Sequence, residues 1–175
     1  MIILIIGGAR SGKSEYAERR AMELSHRRVY VAASEVRDEE TARRVELHRL
    51  RRKGRGFTTI ERPRNLGGLE LCGDECVLIE SLSVWLANEM FGEDGVDMTA
   101  GERVYRDFVS IRARAEHVVI VSDDVFCDGV SYDELTEGWM RELGRLHVRL
   151  AALADEVVEV AAGLPIIHKH ARMPD

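Results

Sequence analysis

Near its amino terminus the chain reads Ile2-Ile3-Leu4-Ile5-Ile6-Gly7-Gly8-Ala9-Arg10-Ser11-Gly12-Lys13-Ser14. An apolar run leads straight into G-x-x-x-x-G-K-S, and a helical pattern follows. A buried strand before this spacing and a helix after it are the context that makes the motif a phosphate-binding P-loop. Glycines let successive backbone N–H groups turn inward around phosphate oxygens. The helix that begins near Lys13 aims the positive end of its dipole at the same anion. On this reading Gly7, Gly8, Ala9, Arg10, Ser11, Gly12, Lys13 and Ser14 bind a nucleotide. Lys13 reaches the β- and γ-phosphates, and the Ser14 hydroxyl is a ligand for Mg²⁺. The bland alternative is a glycine-rich turn without a ligand; strand, spacing, Lys and Ser together argue against it.

With 175 residues the chain is expected to form a single nucleotide-binding domain, residues 1–175, large enough to bury a core. Hydrophobic content of 45% and charged content of 32% are those of an ordinary globular protein. A net charge of −6 argues against nucleic acid as the main partner. The local basic run Arg49 to Arg55 is either a site feature or a solvated helix face. Cys72, Cys76 and Cys127 are too few and too irregular for a disulfide framework. Cys72-x-x-x-Cys76 lacks an evident second ligand pair for zinc. Free thiols suit a reducing cytoplasm. The initial apolar run is too short for a membrane span and lacks the basic start of a signal peptide.

Along the chain, Glu15–Ser25 repeats apolar residues at helical spacing, and Val29–Ala33 is a short apolar strand before the turn Ser34-Glu35. Asp38 to about Lys53 is a strongly charged helix with Asp38 as its cap. Strands are predicted at 57–60, 76–79, 117–121 and 157–161, with a further short edge strand at 163–169. Helices are predicted at 82–91, 99–116 and 132–153, separated by the acidic loops 92–98 and 122–131. Apolar strands alternating with helices imply an α/β fold, a mainly parallel sheet with helices on both faces. Ligands of such sheets bind at the carboxyl ends of the strands. The candidates are therefore Gly7–Ser14, Ala33-Ser34, Glu61, Glu80-Ser81 and Ser122-Asp123.

Glu80 ends an apolar strand, where P-loop proteins keep an acid for Mg²⁺; it can equally cap the helix that starts near Leu82. His48 shares a helix face with Arg44, Arg51 and Arg52. Guanidiniums there would gather phosphates and keep the imidazole neutral, making it a possible nucleophile; a solvated histidine is the plain reading. Trp85 and Trp139 read as core. His26, His117 and His147 read as structural, and His168 and His170 as part of a tail hairpin or frayed end.

Gly7-Gly8-Ala9-Arg10-Ser11-Gly12-Lys13-Ser14 is similar to the P-loop of the CobU/CobP family, bifunctional adenosylcobinamide kinase/guanylyltransferases of cobalamin assembly, whose members resemble RecA-like P-loop domains. The likeness continues through Tyr30-Val31-Ala32-Ala33-Ser34, Arg44-Val45-Glu46-Leu47-His48 and Thr59-Ile60-Glu61-Arg62-Pro63. It extends through Leu78-Ile79-Glu80-Ser81-Leu82-Ser83, Gly144-Arg145-Leu146 and Gly163-Leu164-Pro165 with Lys169. The resemblance implies phosphorylation of adenosylcobinamide by ATP or GTP, with Mg²⁺, then transfer of GMP from GTP to the resulting phosphate. It implies GMP held covalently on His48, with Lys13 stabilising the charge that develops. It also implies a nucleotide pocket containing Ala33, Ser34, Glu35, Glu61, Glu80 and Ser83, with Arg51, Arg52 and Lys53 on phosphates, and Ser14 and Glu80 on the metal. Trimeric assembly with sites near subunit contacts is implied as well.

The family has Thr where Ala33 stands, and often Asp at Glu80. After the 117–121 strand it reads Ser/Thr-Asn-Glu-Val-Gly-x-Gly-Ile-Val-Pro, against Ser122-Asp123-Asp124-Val125-Phe126-Cys127-Asp128-Gly129-Val130-Ser131 here. An Asn after Gly-Arg-Leu falls on His147. These departures leave two alternatives: a guanylyltransferase without the kinase step, or a catalytically silent GTP-binding module.

Overall fold

A computed structural model describes residues 1–34, 43, 54–92 and 95–170. Strand β1 (Ile2–Gly7) enters the phosphate loop, and helix α1 (Lys13–Leu24) leaves it. Strands β2 (Arg28–Ala32), β3 (Phe57–Glu61) and β4 (Cys76–Glu80) follow, then helix α2 (Leu82–Met90). A small antiparallel pair, β5 (Phe91–Gly92) and β6 (Gly95–Val96), precedes helix α3 (Ala100–Arg114). Strand β7 (His117–Asp123), helix α4 (Glu134–Leu153), and strands β8 (Glu156–Ala161) and β9 (Leu164–Lys169) complete the described chain.

The main sheet runs β3-β2-β4-β7-β1-β8-β9. Every neighbouring pair is parallel except β8 with β9. Side chains alternate across its two faces, as the strand period of two requires. Ile2, Leu4, Val31, Ile79 and Ile120 join a core with Trp85 of α2, Phe108 of α3 and Leu146 of α4. Ile3, Ile5, Tyr30, Leu78 and Val121 join a second core with Tyr16, Ala17 and Ala21 of α1. This double coverage explains the unbroken apolar runs of the central strands. Each fully buried Ile or Leu contributes about 1.5–3 kcal/mol through area removed from water. The expected α/β architecture, a mainly parallel sheet with helices on both faces, is what the chain adopts.

Several boundaries move for local reasons. The first helix begins at Lys13, as the motif implies and two residues before the apolar repeat read from Glu15, because Gly12 in the left-handed region (φ 93°) turns the loop directly into it. The helix expected from Tyr132 begins at Glu134, because the Asp133 carboxylate accepts from the N–H groups of Leu135 and Thr136, both at 3.0 Å. The strand expected to end at Val121 continues to Asp123, paired opposite Gly7. The helix expected to reach Phe91 ends at Met90, because Phe91 opens β5, which pairs with β6 inside the 92–98 loop. The edge strand β9 is antiparallel and exposed throughout, with Pro165 where an edge tolerates it. Its Lys169 donates to the Ala151 and Ala152 carbonyls at 3.0 and 3.1 Å, close to the carboxyl end of α4, where a cation is favoured. Cys76 is buried in β4, which pushes its thiol pKa up to about 12, while Cys72 and Cys127 are exposed. No helix among the described residues is long and apolar enough to cross a membrane.

Candidate active site

The phosphate loop is built from backbone that few residues other than glycine can supply. A Cβ on Gly7 would lie 2.6 Å from both Ser11 Oγ and the Val160 carbonyl. A Cβ on Gly12 would meet Gly163 Cα at 3.3 Å. Gly8 faces open space, the side on which an anion can approach. Arg10 also adopts a positive φ (58°). The turn between β8 and β9 braces the loop from below: the Gly163 N–H donates to the Ser11 carbonyl at 2.8 Å. That contact joins residues far apart in sequence and was invisible in the motif.

Two carboxylates converge on the loop. Ser14 Oγ donates to Glu80 Oε1, and Tyr30 OH donates to Glu80 Oε2 at 3.0 Å. Lys13 Nζ donates to the Gly8 carbonyl at 3.0 Å and pairs with Asp123 Oδ1 at 2.9 Å. Ser83 Oγ donates to Asp123 Oδ2 and lies 2.9 Å from Ser81 Oγ. Lys13 is 9% exposed, so its charge is largely removed from water and held by these partners. The capping alternative for Glu80 falls away: Ser81 is the N-cap of α2, accepting from the Val84 N–H at 3.4 Å. Ser83, expected against nucleotide, is 3% exposed and has its hydroxyl on Asp123.

Sheet register brings the remaining strand ends alongside. Ala32 lies opposite Glu61 on one side and Glu80 on the other. The Ala33 N–H donates to the Glu80 carbonyl at 3.0 Å, and Asn88 Nδ2 donates to the Ala33 carbonyl at 2.7 Å and the Pro63 carbonyl at 3.1 Å. Ala33, Ser34, Glu61, Glu80, Asp123 and the phosphate loop thus share the carboxyl edge of one sheet. Glu35, His48, Arg51, Arg52 and Lys53 lie outside the described residues.

Ser14 and Glu80 fit Mg²⁺. Their oxygens are already in direct hydrogen-bond contact, and both are hard donors. Mg²⁺ takes one or two such protein ligands and completes its shell with phosphate oxygens and water.

The segment after β7 closes the other flank. The Asp124 N–H donates to the Gly7 carbonyl at 3.0 Å. His147 Nε2 lies 2.7 Å from Ser122 Oγ, and the Phe126 ring meets the imidazole edge-on at 5.6 Å. Burial holds the His147 pKa below its ordinary value, with Asp124 and Asp123 acting weakly the other way. A cavity of about 430 Å³ opens here, walled by Asp124, Val125, Thr136, Trp139 and Met140 among others. Trp139 is not simply core: its Nε1–H donates to the Ser83 carbonyl at 3.3 Å, tying the cavity wall to the carboxylate network. A larger groove, about 810 Å³, lies between α3 and α4 and includes no residue of the phosphate loop. Tyr30, Trp139 and Gly163 are the contributors that sequence reading missed. Tyr30 and Gly163 lie in segments that resemble the family, but the roles of all three could not be read, since each acts through a partner distant in the chain.

A phosphate loop between the first strand and first helix of a mainly parallel sheet, with acids at the neighbouring strand ends, defines a P-loop NTPase domain. Solved structures agree on this fold. The flagellar accessory protein FlaH from Methanocaldococcus jannaschii superposes with a TM-score of 0.53 at 13% identity, covering 97% of this chain and 78% of that one. A second solved structure, an ATPase domain, gives 0.57 at 13% identity, covering 99% and 78%. The family described as CobU, cobinamide kinase / cobinamide phosphate guanyltransferase, matches residues 3–167, and the chain belongs to it. The bifunctional adenosylcobalamin biosynthesis protein CobU of Salmonella typhimurium is 33% identical, with 95% of this chain and 98% of that protein covered. The protein CobP of Pseudomonas aeruginosa, described in the same words, is 31% identical over 93% and 94%.

Proposed function

We propose that this chain, acting as one nucleotide-binding domain over residues 1–175, phosphorylates adenosylcobinamide and then transfers GMP from GTP to adenosylcobinamide phosphate. The observation that carries the reading is the joining of Lys13 and Ser14 to Asp123 and Glu80 at one sheet edge. Membership of a cobinamide kinase / guanyltransferase family supplies the substrates. Lys13 and the loop amides hold and neutralise the phosphates in both steps. Ser14 and Glu80 hold Mg²⁺, which neutralises charge on the phosphate oxygens when bound. Glu61 accepts from guanine N1–H and N2–H, Ser34 and Glu35 line the base pocket, and Arg51, Arg52 and Lys53 touch phosphates; Ala33, expected there too, is fully buried with its N–H on the Glu80 carbonyl and its carbonyl on Asn88, so it only supports the pocket.

In the guanylyl step neutral His48 attacks the α-phosphorus of GTP and pyrophosphate leaves. The cobinamide phosphate then displaces the imidazole from phosphorus. The exposed Leu164, Ile166 and Ile167 of β9 favour assembly of copies, in keeping with a trimer, and the reaction belongs in the cytoplasm. A guanylyltransferase without kinase activity is the second reading, favoured by the divergent loop 123–131, where the glycine-rich turn is lost.

The test is incubation with GTP labelled at the α-phosphate, denaturation and counting, for wild type and His48→Ala. Acid-labile, base-stable label on wild type alone is expected. Absence of label on wild type with GTP binding intact would refute the covalent route. Separate assays with adenosylcobinamide and with its phosphate divide the two readings.

A further inference from the structure

We propose that Tyr30 is a positioning residue for the metal: its phenol holds the Glu80 carboxylate in the orientation that keeps one oxygen on Ser14 for Mg²⁺. The assignment rests on the reading of Ser14 and Glu80 as the Mg²⁺ pair, and it gives a buried core residue a part in the site.

Sheet geometry puts the phenol within reach. β2 and β4 are parallel neighbours, with Tyr30 opposite Leu78. Tyr30 and Leu78 join the same core, and Glu80 follows Leu78 by two residues, so its side chain leaves the sheet on that face. Tyr30 and Glu80 are thus a diagonal pair, and the phenol O–H spans the gap to Oε2 at 3.0 Å. Helix α1 covers this face through Tyr16, Ala17 and Ala21, and its first turn brings Ser14 to the same carboxylate.

The two oxygens of Glu80 therefore have different work. Oε1 accepts from Ser14, and Oε2 accepts from Tyr30. An ionised carboxylate only accepts, so the phenol donates. The last torsion of a glutamate is broad, and this bond restricts it. A phenol does so without setting a positive charge beside a cation, as a lysine or arginine would. Tyr30 is 5% exposed, with its ring in the core, so the donor is anchored. Asp123 is held by other groups, Lys13 and Ser83. Loss of the phenol bears on the metal and leaves the lysine pair in place. Hydrogen-bond partners that orient metal ligands are worth about 10–100-fold in metal affinity.

The experiment titrates GDP into the full chain by calorimetry, in EDTA and over a series of Mg²⁺ concentrations, for wild type and Tyr30→Phe, with melting temperatures alongside. GDP has phosphates for the loop and no γ-phosphoryl group to transfer. Phenylalanine keeps the ring and its packing, so the fold is expected to persist. The Mg²⁺ concentration that gives half of the enhancement in GDP affinity is expected to rise about 10-fold in Tyr30→Phe, with the affinity in EDTA unchanged. On a Glu80→Gln background the same substitution is expected to add no further loss at any Mg²⁺ concentration, because the phenol acts through the carboxylate. An unchanged Mg²⁺ midpoint in Tyr30→Phe, or equal weakening of GDP binding with and without Mg²⁺, would show that Tyr30 serves packing alone and would overturn the proposal. A further loss on the Glu80→Gln background overturns it as well. A wild type whose GDP binding is indifferent to Mg²⁺ overturns the metal reading and this assignment together; a wild type that responds to Mg²⁺ and a Tyr30→Phe that responds identically overturn only the role of Tyr30.

Discussion

His147 places a titratable ring in a half-buried position against Ser122, beneath the strand end that carries Asp123. Burial lowers the imidazole pKa in the fold, whereas in the unfolded chain it protonates at about pH 6.5. Between that pH and the lower folded pKa the unfolded state binds more protons. The contribution to stability is complete above about pH 6.5 and declines as pH falls below it. His147→Gln keeps a hydrogen-bonding group toward Ser122 and does not titrate. Its melting temperature is expected to fall less than that of wild type between about pH 7.5 and 5.5. Parallel slopes would show that His147 is not the group responsible. The His117 pKa is also lowered, by burial and by the N-terminal ammonium, but that residue is common to both proteins and cancels. The sequence marked His147 as structural and could not show its neighbours, because Ser122 lies 25 residues away in the chain.

Among the elements, α4 has a well-defined start. Asp133 accepts from two backbone N–H groups and from Thr136 Oγ1 at 2.7 Å, and these bonds hold its carboxyl below the usual range. Asp133→Ala leaves those donors to water. Amide exchange at Leu135 and Thr136 is expected to quicken, while Leu146 and Leu150, buried against the sheet, keep their protection. Asp133→Ser should restore most of the difference, and equal exchange in wild type and Asp133→Ala would refute the cap. The cap was legible in retrospect as an acid before a helical run, yet the expected start at Tyr132 came earlier. An apolar tally does not register which side chain folds back on the backbone. At α1 the signal was stronger: Gly12-Lys13-Ser14 is a motif whose spacing is itself the geometry, and the helix begins within it.

The whole molecule is held by two cores, one on each sheet face. Trp85 is fully buried in the larger, with its Nε1–H on Glu89 at 3.3 Å. Trp85→Ala is expected to cost about 3–5 kcal/mol in urea unfolding, and Ile5→Val in the other core only about 0.5–1.5 kcal/mol. Similar small losses for both would show that the α2 core relaxes into the space. The placement of Trp85 in the core, the parallel sheet, the phosphate loop and the acids at the strand ends were all readable in the chain, because period, spacing and strand-end position are local properties. Which acid serves which loop residue was not. Ser14 meets Glu80 across 66 residues, Tyr30 meets the same carboxylate across 50, and Ser83 meets Asp123 across 40. No local pattern encodes a partner at such distances. They meet because hydrophobic burial on both faces closes the strands in the order β3-β2-β4-β7-β1-β8-β9, which sets β7 directly beside β1 and brings Asp123 opposite Gly7.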